Sequence, residues 1–286
     1  MARPRILGRM KANLYALGAI ALWASLASLG VSLTHVPPFL LTGIALVIGS
    51  MPAWPLVARD PAQWRVPPST LALGVCGLFA YHFLLFIALR HAPAVEANLV
   101  NYLWPLLIVV LSPVLLPGMR LRPVHVLAAL LGFGGAALAI AGGRELSGEL
   151  AWGYVPALAA AFIWASYSLL TKRVAAFPTT AIGLFGLVSG VLALLCHWLL
   201  EPAATLQWRD WGLLALLGLG PLGASFFMWD KALKLGDARQ IGILSYITPL
   251  ASTTLLVLVS GRPFSGSIVL ATVMILGAAV LGMRAR

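Results

Sequence analysis

The sequence predicts an all-α polytopic membrane protein, in which ten transmembrane helices form two inverted-topology five-helix repeats around a central cavity. Three observations predict this fold: the composition, a series of ten apolar segments, and a set of motifs that occurs twice. Of the 286 residues, 61% are hydrophobic and 9% are charged, and the mean hydropathy is +0.97. A soluble domain carries about 25% charged residues. The chain is therefore expected to lie in a lipid bilayer.

The ten apolar segments have the length of membrane-spanning helices, which need about 20 apolar residues each. The gaps between them are short, so the sequence leaves no room for a soluble domain between two segments. We number the segments 1 to 10, and they occupy approximately residues 11–34, 36–58, 68–90, 93–116, 123–143, 149–172, 178–200, 208–235, 237–260 and 265–284.

Three motifs of the first half recur in the second half, at offsets of 141, 144 and 142 residues. They are Trp23-Ala24-Ser25 with Trp164-Ala165-Ser166, Asn101-Tyr102-Leu103-Trp104-Pro105-Leu106 with Ser245-Tyr246-Ile247-Thr248-Pro249-Leu250, and Gly135-Ala136-Ala137-Leu138 with Gly277-Ala278-Ala279-Val280. Because five segments per half is an odd number, the second half would enter the membrane from the opposite side. The predicted repeats are residues 1–143 and 149–286, which together form one transport domain.

The basic residues predict the orientation. With a cytoplasmic amino terminus, fifteen lysines and arginines fall on the cytoplasmic side and four fall on the other, namely Arg90, Arg144, Arg209 and Arg262. Such a bias marks the cytoplasmic side, so both termini are predicted to be cytoplasmic. The net charge of +11 thus reflects topology. Nucleic-acid binding is excluded because no folded domain carries a basic cluster with base-stacking aromatics.

Segments 1, 3 and 6 carry aromatic residues deep within their apolar runs. Tryptophan and tyrosine normally concentrate at the membrane interfaces, and a deep indole N–H needs a partner. The set therefore predicts the wall of a central cavity, although each ring alone would equally fit core packing. The candidate residues of these three segments are Trp23 and Ser25, Tyr81 and His82, and Trp164 and Tyr167.

His82 is the histidine nearest to the middle of a segment. An ionisable group inside a membrane suggests a functional role. Three roles are open: contact with a substrate, proton coupling, and a neutral hydrogen bond within the protein.

Segment 4 combines polar residues with a proline. Asn98, Asn101 and Pro105 recur at helical spacing and share one face, with Tyr102 and Trp104 beside it. A proline removes the donor for the carbonyl four residues earlier, in this segment that of Asn101. The pattern predicts a hinge at Pro105 and a polar binding face, and the alternative is that the asparagines join helices.

Segment 9 repeats this pattern, with Ser245 and Tyr246 before a second predicted hinge at Pro249. The proline is expected to free the carbonyl of Ser245 in the same way. Small residues in segments 5 and 10, such as Gly135 and Ala278, favour close packing within one bundle, with dimerisation as the alternative.

These features together resemble the drug/metabolite transporter superfamily, EamA type, and within it the YddG-like aromatic amino-acid exporters. The resemblance covers the whole chain. It implies a basket of helices around a central cavity and export of amino acids across a bacterial inner membrane. The residues it implies for the cavity are Tyr81, His82, Asn101, Tyr102, Trp104, Trp164 and Tyr246. Small multidrug members carry a glutamate in segment 1, where this chain has Ser25.

We therefore expect an inner-membrane exporter of neutral and aromatic amino acids that works by alternating access, as a monomer or a dimer, without cofactor, metal or covalent chemistry. The alternative is an exporter of another small metabolite or drug. An intramembrane hydrolase is disfavoured because neither Gly-x-Ser-x-Gly nor His-Glu-x-x-His occurs. No Walker motif is present either, so proton exchange and facilitated diffusion are both open as energy sources.

Overall fold

The computed structural model describes residues 2–141, 150–260 and 266–284, and all regular elements within these ranges are helices. The predicted repeat boundaries at 143 and 149 lie outside the described residues, as do Arg144, Arg262 and Arg286. The all-α polytopic fold that the sequence predicts is confirmed.

In chain order, the α-helices are α1 (Ala2–Ala24), α2 (Leu26–Val31), α3 (Pro38–Ser50), α4 (Trp54–Arg59), α5 (Pro68–Val75), α6 (Tyr81–His91), α7 (Ala94–Asn101), α8 (Trp104–Leu115), α9 (Pro123–Ala141), α10 (Tyr154–Leu170), α11 (Ala181–Leu200), α12 (Trp208–Leu219), α13 (Ser225–Leu235), α14 (Ala238–Leu244), α15 (Ile247–Ser260) and α16 (Gly266–Arg284). Short 3₁₀ helices cover Met51–Ala53 and Pro61–Trp64, and π-helical stretches cover Cys76–Ala80 and Gly220–Ala224.

Among the described residues, eight helical stretches are long and apolar enough to cross a membrane. They correspond to segments 1 to 5, 7, 8 and 10. Segment 6 is the shorter helix Tyr154–Leu170. Segment 9 is divided into α14 and α15. Eight of the ten predicted spans are thus full-length stretches among the described residues, and the count of ten stays a prediction.

Segments 3 and 8 share an irregularity at the same relative position. Each contains a π-helical stretch, Cys76–Ala80 in segment 3 and Gly220–Ala224 in segment 8, and the two lie 144 residues apart. Segments 4 and 9 are each unwound for two residues, at 102–103 and at 245–246. Single-turn π-helical stretches occur frequently at functional sites. The irregularities in segments 3, 4 and 9 lie next to aromatic and polar residues that the sequence singles out.

The packing of the segments has the same order in both halves. Segment 2 packs on segment 7 and segment 5 packs on segment 10, so each of these pairs joins equivalent segments. Segment 1 packs on segments 8 and 9, and segment 6 packs correspondingly on segments 3 and 4. Segments 1, 3, 4, 6, 8 and 9 therefore meet one another around the centre of the bundle.

The π-helical stretch of segment 8 touches the backbone of segment 2. A Cβ atom on Gly49 would lie 2.7 Å from the carbonyl oxygens of Gly218 and Leu222. Real Cβ atoms do not approach backbone atoms so closely, so only glycine fits there. In the π-helical stretch of segment 3, a Cβ atom on Gly77 would meet the ring of Tyr167 on segment 6.

Candidate functional site

A cavity of about 360 Å³ lies at the centre of the bundle. Its wall combines aromatic rings, leucines and a few polar side chains. The lining residues are Trp23, Leu26, Gly30, Leu41, Thr42, Tyr81, His82, Leu85, Phe86, Leu89, Asn98, Asn101, Tyr102, Trp104, Trp164, Leu217, Leu222, Phe226 and Thr248. Among these described residues there is no Asp, Glu, Lys or Arg. A pocket of this size and polarity suits a small ligand without a large net charge.

The cavity extends from the middle of the bundle toward the side at which segments 1 and 3 end. Gly30 and Leu89 line it, and both lie within two residues of the end of their segment. On the same side, Leu41 and Thr42 contribute from the start of segment 2, and Asn98 contributes from the start of segment 4. We call this side of the molecule the open side.

Asn101 and Tyr81 form a hydrogen-bonded pair in the cavity wall. The Asn101 amide donates from Nδ2 to the Tyr81 hydroxyl oxygen over 3.2 Å. Because that hydroxyl accepts from the amide, its own proton remains available to another acceptor. Asn101 Oδ1 is buried and has no hydrogen-bond partner among the described residues. The pair therefore presents one unused acceptor and one unused donor side by side.

His82 follows the π-helical stretch of segment 3 directly after Tyr81. Its Nδ1 lies 2.6 Å from the Leu78 carbonyl oxygen. A carbonyl only accepts, so Nδ1 carries a proton, and in the neutral ring Nε2 is then an acceptor. The ring also stands edge-on to Phe226 of segment 8, at 6.4 Å between centroids. His82 thus contacts the second half at the cavity wall.

Four tryptophans close the inner end of the cavity. Trp229 is fully buried, and its ring lies 5.2 Å from Trp23 and 5.6 Å from Trp104. Its indole N–H donates to Ser168 Oγ over 3.1 Å. Trp164 lies 5.9 Å from Trp23 and completes the group. Aromatic pairs at these distances attract beyond their buried area, by about 0.5–1.5 kcal/mol each.

Beyond the tryptophans, polar contacts hold the opposite side of the molecule together. Asp230 Oδ2 accepts from Thr179 Oγ1 and from Lys234 Nζ, each at 2.7 Å. Lys172, which follows the end of α10, donates from Nζ to the carbonyls of Leu233 and Gly236. Burial lowers the pKa of this ammonium, and the Asp237 carboxylate opposes the shift. These contacts join segment 8 to the connection between segments 6 and 7, and we call this side the closed side.

A second ionic cluster ties segments 2, 3 and 7 together at the open side. The fully buried Glu201 carboxylate accepts from the backbone N–H groups of Phe39 and Leu40 and lies 2.9 Å from Arg90 Nη2. His197 Nδ1 lies 3.0 Å from the same carboxylate. The N–H groups at the start of a helix favour such an anion. This cluster holds the rim of the cavity.

Eight of the twelve residues predicted to bind substrate line the cavity. They are Trp23, Tyr81, His82, Asn98, Asn101, Tyr102, Trp104 and Trp164. Four do not line it: the hydroxyls of Ser25 and Ser245 donate to carbonyls of their own segments, and Tyr167 and Tyr246 are buried behind the wall. Tyr167 packs on Gly77 and Tyr246 packs on Gly132.

The two predicted hinge prolines differ in their surroundings. The chain is unwound just before each of them, at 102–103 and at 245–246. The expectation that Pro249 frees the Ser245 carbonyl is wrong, because this carbonyl accepts the Thr248 N–H over 3.0 Å. A 3₁₀-type bond therefore replaces the bond that the proline removes. Pro249 lines a smaller second cavity of about 260 Å³, which shares Asn98 and Tyr102 with the central one.

Several cavity residues carry no distinguishing signal in the sequence. Phe226, Leu217 and Leu222 of segment 8 are apolar residues in an apolar segment, so polarity does not mark them. Thr248 belongs to the repeated motif of segment 9, and its buried hydroxyl has no hydrogen-bond partner within the described parts of the chain. Unlike the three residues of segment 8, Thr248 had one signal in the sequence, namely its position directly before Pro249.

This arrangement defines a class of protein: a multi-pass membrane protein with an uncharged central cavity that reaches one side of the bundle. A solved crystal structure has the same fold, with a TM-score of 0.88 and 42% identity, and the match covers 94% of this chain and 95% of that one. Segment order and cavity position are those expected of a carrier for small solutes.

The chain belongs to the EamA-like transporter family, whose model matches residues 10–141 and again residues 151–284. It is 41% identical to the aromatic amino acid exporter YddG of Ancylobacter novellus, over 96% of this chain and 98% of that protein. It is 27% identical to the protein of the same name from Escherichia coli, over 96% and 97% of the two chains. A probable terminal-alkyne amino-acid exporter of Streptantibioticus cattleyicolor is 29% identical over 84% and 83%.

Proposed function

We propose that this protein exports neutral and aromatic amino acids across a bacterial inner membrane. One observation carries the proposal: an uncharged aromatic cavity contains the Tyr81–Asn101 pair, with an unused donor beside an unused acceptor. An α-amino acid presents a carboxylate beside an ammonium, which match a donor and an acceptor at that spacing. The names of the three relatives support the same substrate class.

The mechanism that we propose is alternating access between two inverted repeats, residues 1–143 and 149–286. The double family match, the π-helical stretches 144 residues apart and the matching segment contacts support this division. In this structure the cavity reaches the open side, while tryptophans and the Asp230 cluster seal the closed side. Transport would break the closed-side contacts and bring segments together at the open side. Pro105 and Pro249 are the proposed hinges.

The positive charge bias supports an orientation in which the closed side and both termini are cytoplasmic. Lys172, Lys234 and Arg239 lie at the closed side, whereas Arg90 lies at the open side. The cavity would then face the periplasm, ready to release substrate. The protein would act as a monomer, without covalent chemistry or a bound cofactor.

Counterflow in proteoliposomes tests the substrate. Vesicles loaded with unlabelled phenylalanine should accumulate labelled phenylalanine above empty-vector vesicles, and other neutral amino acids should compete. Asn101→Ala and Trp164→Ala should each lose most of this uptake at equal insertion, because both residues line the cavity. Gly212→Ala is the matched control, since its added Cβ meets no atom within 4 Å. Normal uptake by both cavity variants would place the substrate elsewhere, and no uptake by the parent would reject amino acids as substrates.

A further inference from the structure

The two halves of the chain contribute different chemistry to the central cavity. The first half supplies the polar residues Thr42, Tyr81, His82, Asn98, Asn101 and Tyr102. The second half supplies three apolar residues of segment 8, Leu217, Leu222 and Phe226, together with Trp164 and Thr248. Apart from Thr248, the polar residues of the cavity wall therefore come from the first half, which also contributes apolar residues such as Leu85 and Phe86, whereas segment 8 contributes only apolar residues.

Positions related by the 144-residue offset show how this difference arises in segments 3 and 8. His82 corresponds to Phe226, so a ring with two nitrogens is replaced by a hydrocarbon ring. Tyr81 corresponds to Ser225, which is fully buried and donates its hydroxyl proton to the Pro221 carbonyl. A hydroxyl that is satisfied within its own helix offers little to a ligand.

Segments 4 and 9 differ in the same direction. Asn101 corresponds to Ser245, whose hydroxyl donates to the Gly242 carbonyl over 2.6 Å. Asn98 corresponds to Gly242, which has no side chain. At these four positions the second half carries either no polar side chain or a serine whose hydroxyl bonds within its own segment.

Phe226 is the most prominent of the apolar residues that segment 8 contributes. Its ring lies 5.7 Å from Trp164 and 6.2 Å from Trp23, and it contacts the edge of the His82 ring at 6.4 Å between centroids. It is not held by a polar contact, so its shape and apolar surface determine what it can accommodate. A contact of this kind discriminates ligands by the size of an apolar group.

We infer that the two halves bind opposite ends of the substrate: segments 3 and 4 hold the ammonium and carboxylate groups at Tyr81 and Asn101, and Phe226 of segment 8 contacts the side chain. Phe226 is then a specificity-determining residue, whereas Tyr81 recognises the part common to all amino acids. This inference rests on the proposed amino-acid substrate and adds the orientation in which it binds.

The test crosses two variants with two series of competitors in phenylalanine counterflow. One series changes the side chain: phenylalanine, tryptophan and methionine. The other keeps the phenyl ring but removes a polar group: phenethylamine lacks the carboxylate and 3-phenylpropionate lacks the ammonium. The variants are Tyr81→Phe, which removes only the hydroxyl, and Phe226→Leu, with Phe226→Ala as a second substitution in case one inserts poorly. Phe227→Ala is the control, since this neighbour does not line the cavity.

In Phe226→Leu, the preference for phenylalanine over methionine should fall by about ten-fold, because apolar contacts of this size carry discrimination of that order. The ratio between the apparent affinities for phenylalanine and for phenethylamine should stay unchanged. In Tyr81→Phe, the apparent affinity for phenylalanine should fall about ten-fold, as expected for the loss of one hydrogen bond to a charged group. The apparent affinity for phenethylamine, which has no carboxylate, should hardly change. The order among side chains should remain that of the parent.

The assignment of Phe226 to the substrate side chain would be overturned if Phe226→Leu and Phe226→Ala weakened competition by all compounds equally. The assignment of Tyr81 would be overturned if Tyr81→Phe changed the order in which phenylalanine, tryptophan and methionine compete. Both results leave phenylalanine counterflow by the parent intact, so the proposed function would survive them. Absence of parental counterflow would instead reject the function and the orientation together.

Discussion

Segments 3 and 4 share their backbone features with segments 8 and 9 but differ from them in side-chain chemistry. Both pairs contain a π-helical stretch and a two-residue interruption at equivalent places. Yet Asn101 keeps an unused acceptor, whereas the Ser245 hydroxyl is satisfied by its own helix. The comparison teaches that two copies of a repeat can share an irregular backbone and still present different polar groups to the cavity. Substitutions on either side can break or sharpen this difference.

The largest effect is expected at the backbone contact between segments 2 and 8. Gly49→Ala would force its Cβ to 2.7 Å from two carbonyl oxygens, and backbone atoms cannot rotate away as a side chain can. Overpacking of this kind costs about 1–3 kcal/mol, and we expect the upper end. Thermal unfolding of the purified protein should show a clearly lower midpoint than the parent. Gly212→Ala has open space around it and should match the parent, and equal midpoints for both variants would contradict the close approach.

The next largest effect separates Asn101 from Ser245. Asn101→Ser gives both halves the same residue and removes the bond to Tyr81, so we expect the rate of phenylalanine counterflow at low concentration to fall about ten-fold or more. Ser245→Ala removes a hydroxyl that bonds only to Gly242, and transport should stay within about two-fold of the parent, as about 1 kcal/mol of local stability is lost. Equal losses in the two variants would show that both halves bind the substrate.

The contrast between these two residues also shows what the sequence could predict. Helical spacing placed Asn98, Asn101 and Pro105 on one face, and Asn98 and Asn101 do line the cavity. The same spacing in segment 9 suggested Ser245, but a pattern of polar positions does not tell whether a short hydroxyl bonds its own backbone. Phe226 gave no signal at all. An aromatic residue within an apolar segment can line a cavity or fill a packed core, and the surrounding sequence does not distinguish the two.

The fold itself was predictable because apolar length and charge bias are strong signals in a membrane chain. The interruptions in segments 4 and 9 were predictable from their prolines. The π-helical stretches were not, since Gly220–Ala224 contains Pro221 but Cys76–Ala80 contains no proline, so no shared proline marks the pair.

A smaller effect is expected at the hinges. Pro105→Ala restores a donor opposite the Asn101 carbonyl and should straighten segment 4, which we expect to slow transport several-fold. Pro249→Ala should change transport less, because the Ser245 carbonyl already accepts the Thr248 N–H. Initial counterflow rates at equal protein insertion measure both. If Pro249→Ala lowered the counterflow rate more than Pro105→Ala, the hinge at Pro249 would matter more for transport than the hinge at Pro105, which is the opposite of our expectation.

The smallest effect concerns a polar atom that the second half leaves unsatisfied. Thr248 Oγ1 is buried and has no partner among the residues that the structure describes, so its removal in Thr248→Val should leave the stability unchanged or raise it by about 1 kcal/mol. Thr253 lies on the same segment and its hydroxyl donates to the Ala139 carbonyl over 3.2 Å, so Thr253→Val should lower the unfolding midpoint. Both substitutions replace threonine by valine, so the difference between their unfolding midpoints reports the contribution of the Thr253 hydrogen bond. If Thr248→Val unfolded at the lower temperature, its hydroxyl would have to gain a partner that this conformation lacks, and segment 9 would then contribute polar recognition after all.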